Sequence, residues 1–409
     1  MPAGCAAREA LPRPHEELTA GVRDAGCCGL SVGRILVVGC GFAGAVIARE
    51  LAEAGWAVDV IDRRPHIGGN AFDEVDANGI RIHRYGPHLF HTSNKQVADW
   101  LMRFGAFVPY EHRVQALLPD GRYVGLPINR ATINAVFGLS LTDSGSVRAF
   151  LRSQAVDIAG AGNAGAYLAA QIGTVLTDLF FRPYSKKMWG LALEDMDASA
   201  VRRIPLRHDD EDRYFPDDRY QMLPRFGYTR VFENILDHPG IRVSLNAFFD
   251  VRMLPGYWHC FNSMPIDTFF DCRLGPLPYR SIRFHHISVP FDAERGRAAT
   301  INFTDAGVLT RETDWSRLPF HVAARGVNKT ITREEPCDYA ENNLERYYPV
   351  RTSDGRYQAV YRRYKALAND VGNVTFIGRC GTYQYLDMHQ VINQSLRLVR
   401  AWMARPVLA

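Results

Sequence analysis

Gly39-Cys40-Gly41-Phe42-Ala43-Gly44, followed by Asp62, has the residue types and spacing of a phosphate-binding turn. The first glycine allows a tight turn, the second lets the backbone approach a pyrophosphate, and the third lets a helix pack close to its strand. The helix N-terminus then faces the phosphates, with Gly39, Gly41, Phe42 and Gly44 around them. Asp62 lies roughly 20 residues on, where a carboxylate accepts from a ribose hydroxyl. Arg63-Arg64 and Gly68-Gly69-Asn70 then add a basic pair and a second glycine turn. Gly69 and Asn70 would approach phosphate or ribose, and Arg63 would flank an adenosine end. A second close-approach turn suits a long extended ligand and favours FAD over NAD modestly, since Gly-Gly-Asn is also an ordinary turn sequence.

The elements that must position these residues follow from pattern. Arg34 to Val38 reads as an apolar strand, Ala45 to Ala54 as a helix and Ala57 to Ile61 as a second strand. That context makes an otherwise weak glycine pattern specific. The 409 residues suffice for two or three domains. A net charge of +4 with scattered basic residues does not point to nucleic acid. No run of eighteen apolar residues is present, which argues against membrane insertion. The eight cysteines are dispersed without a C-x-x-C, as expected of reduced thiols in a cytoplasmic protein. Residues 1–33 lack the apolar core of a signal peptide and read as a flexible extension.

Residues 95–110 read as a helix running into Val108-Pro109-Tyr110, and 115–126 as a hairpin around Pro119-Asp120-Gly121. The stretch 127–200 reads as mostly helical: Thr132 to Val136, Ser146 to Ile158, and Tyr167 to Phe181. In the last, Leu168, Ile172, Val175, Leu176 and Leu179 fall on one core-facing side. Strands are expected at Gly240 to Phe249, Tyr279 to Val289, Ala298 to Phe303 and Val327 to Arg333. A strand at Val374 to Gly378 and a helix at Asp387 to Met403 close the first domain. The predicted class is α/β, a Rossmann-like FAD-binding domain (34–100, 223–275 and 355–409) with two insertions. These are a helical domain (101–200) carrying a mobile substrate loop and an antiparallel β-sheet domain (201–222 and 276–354).

The chain resembles the bacterial UDP-galactopyranose mutase family along nearly its full length from residue 34. The resemblance is carried by the first glycine turn, His66 to Asn70, Tyr85 to Thr92, Tyr184 to Gly190, Arg203 to Arg207 and Ile301 to Asp305. Tyr347 to Val350 and Tyr385 to Gln390 carry it further. It implies interconversion of UDP-galactopyranose and UDP-galactofuranose with reduced FAD and no net redox change. In the family mechanism reduced-flavin N5 attacks sugar C1, UDP departs, and an iminium permits ring opening and reclosure. It also implies a homodimer, an electron donor for the flavin such as NAD(P)H, and a part in cell envelope biosynthesis.

By the same resemblance Arg203 closes on the diphosphate from the run Leu191 to Val201, read as a surface lid. Arg311 is the second diphosphate arginine; a planar guanidinium donates bidentately to phosphate and stays charged. Trp189 and Tyr184, in a polar loop, serve the uridine and phosphate. Tyr348 and Tyr385 bind phosphate, with Tyr347 a possible substitute, and Tyr214 and Arg280 complete the substrate set. Phenols donate to phosphate without adding charge. His88, after Gly86-Pro87, stands beside the flavin to tune N5, while His83 and His91 read as structural. Asn302 meets a sugar hydroxyl or the flavin carbonyl side. Gly378, Arg379, Asp387 and Met388 face FAD phosphates and ribityl chain, and Asp387 is equally an N-cap candidate. No H-E-x-x-H spacing or paired carboxylates suggest a metal.

Two departures leave a related nucleotide sugar open as substrate. Met264 in Ser263-Met264-Pro265-Ile266-Asp267 replaces a family glycine, and the segment before Arg311 is one residue short. A flavin oxidoreductase of the amine oxidase type shares the glycine turn, but would need an apolar tunnel and no diphosphate clamp.

Overall fold

The computed structural model describes residues 33–156, 162–202 and 206–405. The extension 1–33 therefore lies outside the described residues except for Gly33, as does Arg203.

Four consecutive apolar residues, Ile35–Val38, form a strand buried on both faces, as a central parallel strand requires. It pairs in parallel with Val58–Ile61 on one side and His259–Asn262 on the other. Ile241–Ser244 and Val374–Phe376 complete a five-stranded parallel sheet. Phe42–Glu53 packs against Met388–Met403, the helix that returns the chain to this sheet. The order shows why the domain is discontinuous: strands that neighbour each other in the sheet come from distant parts of the chain, as with Val38 and Asn262 or Cys260 and Val374.

A seven-stranded sheet runs Tyr348–Pro349, Tyr279–Pro290, Asn328–Asp338, Arg311–Asp314, Thr300–Phe303, Val114–Leu117 and Tyr123–Leu126. It is antiparallel except where Thr300–Phe303 meets Val114–Leu117. The architecture is thus α/β, with a Rossmann-like domain joined to helical and largely antiparallel sheet regions.

Several expectations need correction. The hairpin 114–126, placed in the helical segment, is the end of the large sheet, because Val114 and Ala116 alternate inward against Thr300–Phe303. The strand Tyr220–Pro224, its first three residues expected in that sheet, joins Phe90–Thr92 and Phe107–Pro109 in a separate three-stranded sheet. The helix expected over 95–110 stops at Met102, and Phe107–Pro109 is a strand. The strand expected over 240–249 spans only Ile241–Ser244.

The helix from Ala164 stays regular only in part. Gly173 sits at φ +74°, and the chain resumes as Thr177–Phe181 in wider turns before Arg182–Trp189. That break shifts the helical phase and leaves Val175 exposed while Ile172 and Leu176 are buried. By length and composition the run Ala164–Trp189 could cross a membrane, yet 61% of its most apolar window is buried inside the protein. Tyr184 and Trp189 therefore ride on a helix, not a loop. Along the run 191–201, read as a surface lid, Leu193, Met196 and Val201 are buried in the same apolar cluster as Leu168 and Ile172.

Candidate active site

Two features meet where the sheets join: a glycine cradle at the tips of the parallel strands, and a cavity of about 290 Å³ beside it.

The cradle is built from both glycine turns. Gly68 N–H donates to the Cys40 carbonyl at 2.9 Å, holding one turn against the other. A Cβ on Gly69 would lie 2.9 Å from Gly41 Cα, so only glycine permits this approach. Gly44 is required for a different reason, because a Cβ there would meet the Gly39 carbonyl at 1.9 Å. The helix Phe42–Glu53 starts at this point with no acidic residue in its first turn. Its amides can face an anion. Asp62 is fixed by two amides, Cys40 N–H at 2.7 Å and Arg64 N–H at 2.9 Å, one to each oxygen. Each oxygen keeps a second lone pair, so the carboxylate can still accept from ribose. These residues fit an extended dinucleotide. Burial pushes the Cys40 thiol up to about 12, so it fills space without reactive thiolate character.

Other predicted contacts of the cradle fall differently. Phe42 turns into the core, 4.5 Å from Phe232 between ring centroids, leaving only its backbone toward the turn. Arg63 is half exposed and paired with Glu345 at 2.7 Å. Arg64 is the inward member: it donates to Asn70 Oδ1 at 2.9 Å, pairs with Glu345 and lies over the Tyr85 ring. The sequence showed the basic pair but not which member turns in.

The cavity gathers His88, Tyr184, Trp189, Tyr214, Asn302, Arg311, Tyr348, Arg379, Tyr385, Asp387 and Met388, all from the sequence reading. Arg311 lies at the end of its strand and donates to Tyr184 Oη at 3.2 Å and Asn302 Oδ1 at 3.4 Å. Lys187 ties the helix Arg182–Trp189 to the same hairpin, donating to the carbonyls of Phe303 at 3.0 Å and Leu309 at 2.8 Å. Arg379 stands 5.3 Å from the ring centroids of both Tyr348 and Tyr385, which stack at 5.0 Å. Trp189 packs on Tyr348 at 5.9 Å. Burial raises the Tyr347 and Tyr348 phenols, so both are neutral donors. Tyr347 itself is engaged, donating to the Tyr85 carbonyl at 2.7 Å.

The His88 ring lies 2.8 Å from the Gly86 carbonyl through Nδ1, which therefore carries the proton, leaving Nε2 as the acceptor of the neutral ring. Burial, reinforced by Arg379, pushes its pKa down to about 4 despite the Gly86 contact. Asp387 precedes the helix Met388–Met403, and its N–H donates to Gln390 Oε1, as the N-cap reading expected.

Arg280 does not line the cavity. Its guanidinium donates to the carbonyls of Met188 at 3.0 Å and Lys187 at 3.2 Å, capping the helix that carries Tyr184 and Trp189. Three residues escaped the sequence reading. His112, held neutral with a pKa near 3 chiefly by burial and then by Arg311, lines the cavity with Thr304. Glu334 is buried on the strand beside Arg311, its Oε1 3.7 Å from Nη1. Burial raises its pKa against the pull of Arg311. Only the register pairing of Arg311 with Glu334 could have revealed it.

Two guanidinium groups among neutral phenols and aromatic faces suit a ligand with a polyanionic segment and a flat ring. The cavity joins the glycine cradle through Gly378, the neighbour of Arg379, where a Cβ would lie 2.9 Å from Ala43 Cβ in the first turn.

Residues 179–385 match the family model described as UDP-galactopyranose mutase, and 37–104 match an NAD(P)-binding Rossmann-like domain. The "Probable UDP-galactopyranose mutase" of Klebsiella pneumoniae is 35% identical over 89% of this chain and 93% of its own length. The dTDP-fucopyranose mutase of Escherichia coli is 34% identical over 90% of this chain and 98% of its own. A crystal structure of reduced UDP-galactopyranose mutase superposes with a TM-score of 0.70 at 15% identity, covering 91% of this chain and 95% of the other.

Proposed function

Because the chain belongs to the UDP-galactopyranose mutase family, we propose that it interconverts UDP-galactopyranose and UDP-galactofuranose with reduced FAD. The observation that carries this reading is Arg311 held by Tyr184 and Asn302 inside a tyrosine-lined cavity that abuts the glycine cradle. When bound, reduced FAD would supply the nucleophile that takes sugar C1 from the diphosphate.

The protein's own part is electrostatic and geometric. The Gly41 and Gly69 turns, Asp62 and the start of the helix Phe42–Glu53 would hold the cofactor. His88, neutral with its Nε2 lone pair available, would accept a hydrogen bond beside the reacting ring. Arg311 would take up charge growing on the departing diphosphate, with the hydroxyls of Tyr184, Tyr348 and Tyr385 as donors that let UDP leave and return. Trp189 would stand by the base. By resemblance Arg203 would bring a further cation. Arg203→Ala is then expected to lower turnover by more than about tenfold at unchanged flavin content. An unchanged kcat/KM would remove it from the clamp.

Near-equal likeness to mutases of two nucleotide sugars favours a second reading, the same chemistry on dTDP-fucopyranose. Incubating dithionite-reduced enzyme separately with UDP-galactofuranose and dTDP-fucopyranose, and separating products by chromatography, tests both. Conversion of the first supports the proposal, and conversion of the second alone replaces it. Equal turnover by fully oxidised enzyme would overturn the role of reduced flavin. We further propose a cytoplasmic homodimer serving cell envelope biosynthesis, with NAD(P)H as reductant.

A further inference from the structure

Behind the turn that carries His88, buried imidazoles are joined end to end. The His88 amide donates to His83 Nδ1 at 3.0 Å. His83 Nε2 lies 3.2 Å from His321 Nε2, and His321 Nδ1 lies 2.9 Å from the Pro319 carbonyl. The partners fix every proton. A carbonyl only accepts, so His321 carries its hydrogen on Nδ1 and a lone pair on Nε2. An amide only donates, so His83 carries a lone pair on Nδ1. A neutral ring has one N–H, which places the His83 proton on Nε2, pointing at the His321 lone pair. One set of tautomers, assigned from partners, satisfies all three contacts.

The surroundings favour that neutral set. Both rings are 1% exposed, and His83 packs on Trp315 at 4.8 Å and edge-on to Tyr228. Trp315 is pinned in turn, donating from Nε1 to Thr332 at 2.7 Å. Burial foremost, with Arg81 as a nearby cation, lowers both imidazole pKa values. A proton on His83 Nδ1 would set two donors against each other at the His88 amide.

We propose that His83 and His321 are positioning residues for His88: His321 selects the His83 tautomer, and His83 in that form anchors the amide of the turn that presents the His88 ring to the cavity. The catalytic consequence rests on the mutase reading, but the tautomer assignment does not.

Two measurements on the full chain test this. Ring nitrogen NMR of protein labelled with ¹⁵N-histidine should show His83 as the Nε2–H tautomer and His321 as the Nδ1–H tautomer at neutral pH. His83→Asn and His321→Gln variants assign the signals. A cationic ring or the opposite tautomer at either position overturns the proposal, whether or not the enzyme turns over nucleotide sugars. In the second, His83→Leu should displace the His88 ring signals and lower kcat by about tenfold or more at little change in KM. His83→Asn, whose Oδ1 replaces the Nδ1 acceptor, should recover kcat to within about threefold. His321→Leu and His321→Gln should differ in the same direction, and they decide if His83→Leu does not fold. Leucine variants with wild-type His88 signals, or Asn and Gln no better than leucine, overturn it. An enzyme inactive on nucleotide sugars would sink the proposed function, and the NMR result would still decide the anchoring.

Discussion

Arg311 is caught between a task and a neighbour. Its fork reaches Tyr184 and Asn302, while Glu334 lies 3.7 Å away with an oxygen that is buried and without a hydrogen bond. Arg311→Ala is expected to lower kcat/KM by about 10²-fold or more, since it removes the charge-assisted contact to the leaving group that we propose for it. It should also lower stability by about 3 kcal/mol, because an uncompensated buried carboxylate remains. Adding Glu334→Gln to it should restore stability and leave kcat/KM low. Steady-state kinetics and denaturant unfolding on wild type and the two variants check both halves. If Arg311→Ala unfolds like wild type, Glu334 is already protonated, the direction in which burial drives it.

At the scale of elements, the helix Arg182–Trp189 is what turns separate residues into a binding wall. It is held at its end by Arg280 and along its side by Lys187. Arg280→Leu removes two hydrogen bonds to helix-end carbonyls and should loosen Trp189. The expected outcome is a rise of about fivefold or more in substrate KM at little change in kcat or flavin content, a shift of about 1 kcal/mol. A drop in kcat alone would instead place Arg280 at the reaction. The cradle makes a separate prediction. Gly69→Ala pushes a methyl to 2.9 Å from Gly41 Cα at a φ of +56°, so the variant should fold and purify colourless. Flavin absorbance equal to wild type would show that the two turns do not grip the cofactor.

For the whole molecule, acid is the informative stress. His88 and His321 are held near pKa 4, His259 likewise and His112 near 3, in each case chiefly by burial. In the unfolded chain they would titrate near about 6.5. Between those values the unfolded state binds more protons, so stability is full above the unfolded pKa and falls as pH drops toward 4. Each imidazole can contribute up to about 1.4 kcal/mol per pH unit in that window. Calorimetric melts at pH 7.5, 6 and 5 should show Tm falling with growing proton uptake. A constant Tm would mean that these rings protonate inside the fold.

The sequence determined the cradle almost completely, because strand, glycine turn, helix and acid are local and need only a few dozen contiguous residues. The N-cap at Asp387 was legible for the same reason. Most of the cavity wall came from ordered motifs, and the structure brings those residues together. Tertiary structure decided the rest. Arg280, read as a substrate contact, faces helix-end carbonyls, since only the pairing of Tyr279–Pro290 sets where that side chain lands. Both arginines pair with Glu345, and Arg64 rather than Arg63 turns inward because Asn70 and the Tyr85 ring lie on its side. The hairpin 114–126 joined a sheet whose other strands lie nearly 200 residues later, and Glu334 became the neighbour of Arg311 through strand register. The histidine chain spans 238 residues from His83 to His321. Local pattern fixes conformations within one element, whereas partners distant in sequence are chosen by packing and register, which no spacing encodes.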